Sequence, residues 1–251
     1  MALTQAMDLL GSLSSAVTEM SRLHQRVMVG IDGPDCAGKT TLADQLASSL
    51  QRPAQQTPPQ QAPTRQQLPP GRVPTLRASV DGFNRPRTQR YKRGELSAAG
   101  YYLDSFDLEA LTDECLLPFL AGEPALRTTI FDHRCDAEKP VDAVAAVAAR
   151  AVLIVDGVFL LRPELRELWT VSVYLRVSPA ETLRRAHGRD LGLFGSCEEV
   201  ERRYLGRYLP GQALYRERAH PEDLTHILVD NERPDHPRIE RWDVVGPAGP
   251  A

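Results

Sequence analysis

The chain has 251 residues, 42% of them hydrophobic and 25% charged, which suits one soluble α/β domain with a sizeable core. A formal charge of −3 gives no basic field to attract nucleic acid or an anionic membrane. No apolar run approaches the ~18 to 20 residues of a bilayer span, no signal-peptide pattern opens the chain, and four scattered cysteines form no C-x-x-C pair, so a reducing cytoplasm is expected.

Residues 4–24 carry Met7, Leu10, Leu13, Val17, Met20 and Leu23 at spacings of three and four, which predicts an amphipathic helix on the domain flank. Val27 to Ile31 form the apolar run of a central parallel strand, and Leu42, Ala43, Leu46 and Ala47 recur at helical spacing beyond it. Between strand and helix lie Gly33, Pro34, Asp35, Cys36, Ala37, Gly38, Lys39 and Thr40, which fit the P-loop pattern G-x-x-x-x-G-K-[ST]. Gly33 and Gly38 allow the backbone to wrap a phosphate chain with its N–H groups pointing inward. The helix then begins at the loop, so its positive end, including Thr41, faces the same phosphates. Lys39 supplies a point charge for the outer phosphates, and the Thr40 hydroxyl a ligand for Mg²⁺. Cys36 is expected to pack, although its place in the loop suggests sensitivity to thiol reagents.

Residues 51–72 contain seven Gln and six Pro and almost no large apolar side chains, the composition of a disordered surface insertion. Order is expected to resume at Val73. A short strand over 76–80 ends in Asp81-Gly82-Phe83, placing a carboxylate at the ligand-binding edge of an open sheet. A basic loop follows with Arg85, Arg87, Arg90, Lys92 and Arg93, then a helix over 107–121 and a short strand over 128–131 that leads into Asp132, His133 and Arg134. The apolar strand 151–155 ends in Asp156-Gly157. A short helix (161–169), another strand (171–177), a cationic helix (179–190), a long helical stretch bent near Pro210 (198–218) and a last strand (225–229) complete the pattern. Residues 232–251 are expected to be an irregular tail. Strands alternating with helices predict a mainly parallel sheet covered on both faces, with a helical lid over about 179–205.

Phosphoryl transfer needs a phosphate cradle, a metal, a carboxylate for the acceptor hydroxyl and positive charge over the transferred group. The cradle is 33–41. Asp156, at the end of an apolar strand, has the form of a Walker-B carboxylate that holds Mg²⁺ with Thr40. Asp81 is the candidate base for the attacking hydroxyl. Arg185 and Arg189 stand four apart, share a helix face and are expected to close over the nucleotide as catalytic cations with Lys39. His133 is a candidate hydrogen-bond partner of the substrate. No N-K-x-D run is present, which disfavours GTP.

Several stretches together resemble the uridine kinase family of P-loop kinases: IDGPDCAGKTTLA, SVDGF, FDHR, VDGVFL, LRRAHGRD, RYLPGQALY and HILVDN, over about Val27 to Asn231. That family is similar to phosphoribulokinase and type I pantothenate kinase, and the resemblance implies transfer of the ATP γ-phosphoryl group to a primary hydroxyl. It places Asp81 as the catalytic carboxylate, His133 as a base contact, Arg185 and Arg189 in a mobile lid, and Asp104 near the carboxylate that binds ribose hydroxyls. Phe83 and Arg134 complete the expected substrate contacts. The chain departs from the nucleoside kinases where Gly82, Phe83 and Asn84 replace Ser-Phe-Tyr, where His133 directly follows Phe131-Asp132, and where Asp156 replaces Glu. Those departures leave the acceptor open between a nucleoside, a sugar phosphate and a pantothenate- or riboside-like alcohol, and the basic loop 85–93 suits a phosphorylated one.

The expectation is therefore a cytoplasmic P-loop NTPase three-layer sandwich, one domain over 1–251 with its core at about 26–231, using ATP and Mg²⁺ on a small-molecule acceptor. Nucleic-acid and membrane partners are not expected, and self-association is left open. Competing classes are an ATPase switch without an acceptor and a non-catalytic nucleotide-binding protein.

Overall fold

The computed structural model describes residues 8–51 and 72–244. The expected Gln/Pro-rich insertion lies almost wholly outside the described residues, as does the start of the expected N-terminal helix. Within them, helix α1 (Leu9–Leu23) buries Leu9, Leu13 and Val17; of the predicted stripe Leu13 and Val17 are buried, Leu10 and Met20 partly so, and Leu23 is exposed. It lies against α2 (Lys39–Gln51), where the Ser14 and Ser49 hydroxyls meet at 2.9 Å.

Six strands form the main sheet: β1 (Arg26–Asp32), β2 (Thr75–Ser79), β3 (Ala151–Asp156), β4 (Val171–Arg176), β5 (Ile227–Asp230) and β6 (Arg238–Trp242). Their spatial order is β6-β5-β4-β1-β3-β2, parallel throughout except for β6. Strand β3 is buried at every position and β1 at all but the first, which is why their sequences are apolar runs rather than alternating patterns. Side chains still alternate between faces. Val27, Val29 and Ile31 join Val152, Ile154 and the α2 residues Leu42 and Leu46 on one side. Met28, Leu153 and Val155 pack with Phe83, Phe119, Phe159 and Tyr215 on the other.

Register decides where the site lies. Ile31 pairs with Asp156, and Ser79 pairs with the same Asp156, so the carboxyl ends of β1, β2 and β3 finish side by side. The loops that leave them emerge together at one edge of the sheet, where β1 sits between β3 and β4, the switch point at which open α/β sheets bind ligands.

The lid region is helical, with α4 (Pro179–Arg189) capped by Ser178 and α5 (Cys197–Arg203) capped by Ser196; earlier in the chain lies α3 (Ala98–Asp104). Ala186, Val200 and Tyr204 form a small apolar cluster separate from the two main ones. Beyond α5 the chain continues through a π-turn, Tyr204–Tyr208, into α6 (Leu209–Ala219). The irregularity expected at Pro210 therefore falls one turn earlier, where the π-turn frees Pro210 from having to donate inside an unbroken ladder.

Three expectations are corrected. The tail is not wholly irregular: β6 pairs antiparallel with β5 across a bulge at Ile239/Arg241, and Ile239 and Trp242 pack onto the core. Its charged, single-sided sequence is that of an edge strand, which its short length and charged side chains keep from pairing further. Residues 128–131 supply no strand to the main sheet; Ala125–Leu126 and Phe131–Asp132 instead pair in two separate two-stranded ribbons. The helix expected over 161–169 is reduced to the single 3-10 turn Arg166–Leu168.

Candidate active site

The loop after β1 adopts positive φ at Gly33 (146°), Cys36 (58°) and Gly38 (89°). A Cβ at Gly33 would stand 2.5 Å from the Leu175 carbonyl oxygen, so that position needs glycine on steric as well as conformational grounds. Buried Asp32 accepts hydrogen bonds from the N–H groups of Gly33 (2.6 Å) and Leu161 (3.1 Å) and from the Tyr215 hydroxyl, which fixes the entry to the loop. Burial pushes the Asp32 carboxyl up to about 6, with the Tyr215 bond the largest opposing influence. Ala37 N–H closes a turn onto the Pro34 carbonyl at 3.3 Å. The N–H groups of Cys36, Gly38, Lys39, Thr40 and Thr41 have no acceptor among the described residues. They make the concave donor set that an anion fills.

Side chains complete this end. Lys39 is 9% exposed and lays its Nζ over the loop, donating to the Pro34 carbonyl at 2.6 Å. Thr40 Oγ1 donates to Asp156 Oδ2 at 2.6 Å, while Arg77 of β2 donates to Asp156 Oδ1 at 2.8 Å. Asp35 accepts from the Tyr101 hydroxyl (2.9 Å to Oδ2) and from Gln212 Nε2 (3.2 Å). Asn231 donates to the Ala37 carbonyl at 2.8 Å. Loop carbonyls are thus tied back to the protein, leaving N–H groups to face the cleft. Cys36 is half-buried with its thiol 3.3 Å from the Tyr204 hydroxyl, and burial raises its pKa, which makes it a poor nucleophile and favours the packing role. A cavity of about 550 Å³ opens beside Gly38 and Thr41, walled by Leu9, Leu42, Leu175, Pro234 and His236.

Asp81 lies in the turn Val80–Phe83 that leaves β2. Its carbonyl accepts from Asn84 Nδ2 at 2.9 Å, and its carboxylate opens into a second cavity, of about 160 Å³, shared with His133, Asn84, Arg90, Arg189 and Arg207. Although solvent in the cleft reaches Asp81, the surrounding walls desolvate it and raise its pKa; the positive charges of His133 and then Lys39 work in the opposite direction. The same influences place Lys39, Asp35 and Asp156 within electrostatic reach of this carboxylate.

The two lid arginines differ. Arg185 is spent on the protein: it pairs with Glu181 at 2.7 Å and donates to the carbonyls of Cys36 (3.2 Å), Asn231 (2.7 Å) and Glu232 (3.1 Å). It fastens α4 to the P-loop. Arg189 lines the small cavity, held by Asp190 at 2.6 Å and by the Tyr204 hydroxyl at 3.1 Å, with just over half of its side chain exposed.

Three expected substrate contacts are corrected. Phe83 is fully buried in the core behind the site. Asp104 is buried and paired with Lys92 (3.0 Å) and Arg93 (2.7 Å), away from the cavity lining. Arg134 is an exposed turn residue whose N–H binds Asp132, and it does not line the cavity either. Conversely, Asp32, Arg77, Tyr101, Asp190, Tyr204 and Arg207 shape the site without having been singled out in the sequence. Only Asp32, the last residue of the strand before the P-loop, had a local signal. Among the described residues no group of three or more His, Cys, Asp or Glu could cage a metal, and no helix is long and apolar enough to cross a membrane.

No protein-family model and no curated protein matches the chain. Solved structures do. A possible uridine kinase from Bacillus stearothermophilus is 21% identical, with a TM-score of 0.59 over 86% of this chain and 98% of its own. A protein described provisionally as a fructose transport system kinase, from Silicibacter sp. TM1040, is 22% identical, with a TM-score of 0.65 over 85% and 96%. YFH7 from Saccharomyces cerevisiae, described provisionally as a circularly permuted P-loop kinase, is 12% identical with a TM-score of 0.55 over 86% and 96%. The parallel sheet, the loop that leaves β1 and these structural neighbours give the chain the α/β P-loop fold of the uridine kinase-like kinases.

Proposed function

We propose that the protein is an ATP-dependent kinase that transfers the γ-phosphoryl group to a hydroxyl of a small molecule. One observation carries this reading: the Asp81 carboxylate lines a cleft cavity that it shares with Asp35 of the P-loop, within electrostatic reach of Lys39. A switch that only hydrolyses nucleotide has no need of a walled acceptor cavity next to its phosphate site. In the reaction the acceptor oxygen bonds to the γ-phosphorus, the bond from that phosphorus to the β–γ bridging oxygen breaks, the acceptor proton passes to Asp81, and ADP leaves. A carboxylate with a raised pKa is the better proton acceptor.

The P-loop N–H groups and Lys39 hold the phosphates, and Arg189 adds positive charge from the lid side. Thr40 and Asp156 offer an oxygen-only donor pair at a helix N-terminus, which fits Mg²⁺, an ion that keeps waters and phosphate oxygens as its other ligands. When bound, the ion supplies charge neutralisation across the outer phosphates. The larger cavity beside Gly38 and Thr41 takes the nucleoside part of ATP. Likeness to a possible uridine kinase supports a nucleoside acceptor, and likeness to the fructose transport system kinase supports a sugar. Four free cysteines fit a cytoplasmic location.

The test is ADP release by the purified protein with Mg-ATP, in water alone and with a panel of nucleosides, sugars, sugar phosphates and pantothenate-like alcohols. Acceptor-dependent release that Asp81→Asn removes, with ATP still bound, is the expected result. Release that ignores every acceptor assigns the fold to a hydrolytic switch instead.

A further inference from the structure

The metal end of the cleft carries a residue that the transfer step does not use. Arg77 leaves β2 on the α2 side of the sheet and makes four hydrogen bonds from three nitrogens. Its Nε donates to Asp44 of α2 at 3.0 Å, and Nη1 to the carbonyls of Ala78 (3.2 Å) and Ile154 (3.0 Å). Its Nη2 donates to Asp156 Oδ1 at 2.8 Å. Asp44 stands one helical turn beyond Thr40, and Thr40 donates to the other oxygen of Asp156. Thr40, Asp156, Arg77 and Asp44 thus close a ring through α2, β3 and β2. Register makes the ring possible: β2 ends the sheet, Arg77 pairs with Ile154, and Ser79 pairs with Asp156. A long side chain at 77 therefore reaches forward along β3 to the carboxylate.

Charge balance for a buried carboxylate needs no such anchoring. A guanidinium is planar and its N–H directions are fixed, so Asp44 and two backbone carbonyls settle where Nη2 points. The Asp156 side chain is 3% exposed and that of Arg77 24%, so the pair has little room to turn. Oδ1 of Asp156 is occupied from the β2 side, and Oδ2, the oxygen at Thr40, is the one left for a metal. That difference bears on which ion fits. Mg²⁺ is small, demands near-octahedral geometry and keeps waters and phosphate oxygens beside one carboxylate oxygen, whereas Ca²⁺ takes more ligands and accepts a carboxylate through both oxygens.

We propose that Arg77 is a positioning residue that selects Mg²⁺ against Ca²⁺ by withholding one oxygen of Asp156 from the metal. The proposal rests on the nucleotide and metal part of the kinase reading above and is independent of the acceptor. Arg77 itself touches neither the nucleotide nor the reacting atoms in this role; it acts through Asp156.

The test is calorimetric titration of a non-hydrolysable ATP analogue into the full chain in chelator, in Mg²⁺ and in Ca²⁺. In the wild type, Mg²⁺ should tighten binding more than Ca²⁺ does. Arg77→Lys keeps a cation beside Asp156 but lacks the fork. It should lower the gain from Mg²⁺ about tenfold, the low end for groups that orient a metal ligand, and leave the gain from Ca²⁺ intact or larger. Binding in chelator, carried by the loop N–H groups and Lys39, should stay nearly unchanged. Arg77→Gln should show the same shift in a less stable protein, because Asp156 is then buried without its cation. Ca²⁺ should also inhibit Mg-ATP turnover more strongly in Arg77→Lys than in the wild type. Should neither variant fold, a wild-type crystal structure with Mg²⁺ and the analogue decides: Arg77 should keep its bond to Oδ1, with one Asp156 oxygen toward the metal.

Gains from Mg²⁺ and Ca²⁺ that fall alike in Arg77→Lys would make Arg77 a charge partner only and overturn the proposal. So would a wild type that binds the analogue equally well with either ion, or a Mg²⁺ complex in which Arg77 has released Asp156. In each of those outcomes the nucleotide still binds and the kinase reading stands. An analogue that binds under no condition would remove the kinase reading, and this proposal with it.

Discussion

The phosphate end of the cleft is made almost wholly of backbone, in one run of residues from Asp32 to Thr41. The acceptor end is made of side chains brought from the segments around Asp81, Arg90, Tyr101, His133, Arg189 and Arg207. At the first end the working groups are N–H donors held by two glycines and a helix start, and the carbonyls are tied away by Arg185 and Asn231. At the second, three cations, three carboxylates and several tyrosines share a small cavity and satisfy one another in part. A backbone cradle suits any phosphate chain, whereas an assembly of side chains selects. Chemistry common to many kinases belongs to the first end and substrate choice to the second.

Substitutions can break that division. The largest effects should come where the two ends meet. Lys39→Ala should lower kcat/KM for ATP by at least ~10³-fold, since it removes the one full charge over the cradle. Asp81→Asn should lower kcat by about 10² to 10⁴-fold while equilibrium binding of ATP stays close to wild type. An Asp81→Asn protein with full turnover on its own acceptor would take that carboxylate out of the mechanism.

The lid arginines sharpen the contrast. Arg189→Ala should cut kcat by roughly 10 to 100-fold, because its guanidinium lines the cavity, with a loss of stability as well because buried Asp190 loses its cation. Arg185→Ala should instead destabilise the fold by about 1.5 to 3 kcal/mol, the range for hydrogen bonds made by a charged donor, and weaken ATP by loosening the loop. Urea titration together with kcat separates them; equal effects in both assays would mean that the two arginines share one role.

The most gradual effect concerns pH. Asp32 titrates near 3.8 when unfolded and at about 6 when folded, so the native state binds its proton more tightly. Its contribution is therefore full below pH ~4 and is lost as pH rises through about 6, a fall on the order of 3 kcal/mol at most. Denaturation midpoints should decline across that window, and the decline should be shallower in Asp32→Asn, whatever the substitution does to absolute stability. Parallel slopes in the two proteins would show that another group controls the window.

The same division explains what could be seen in the sequence. Gly33, Gly38, Lys39 and Thr40 are legible because a backbone nest demands fixed spacing within eight residues. Asp81 and Asp156 are legible because each ends an apolar strand, and parallel register brings strand ends together. Arg207 and Tyr204 sit in a π-turn of a long helical stretch, where charged and aromatic residues are common and only tertiary packing turns them inward. Phe83 and Asp104 show the opposite error. Position beside Asp81 or within a stretch that resembles a kinase motif suggested contact, but Phe83 faces the core and Asp104 neutralises Lys92 and Arg93. The edge strand β6 was hidden because a one-faced, charge-rich strand of five residues resembles a tail.

On the kinase reading the Asp81 carboxylate and the cradled phosphates converge on one hydroxyl-sized space. A crystal structure with Mg²⁺ and a non-hydrolysable ATP analogue measures that directly. An Asp81 carboxylate oxygen is expected within about 6 Å of the γ-phosphorus, the sum of an attack distance and a hydrogen bond. An Asp81 carboxylate well beyond that reach with α4 closed over the nucleotide, or Asp81 turned away from the phosphate, would contradict it.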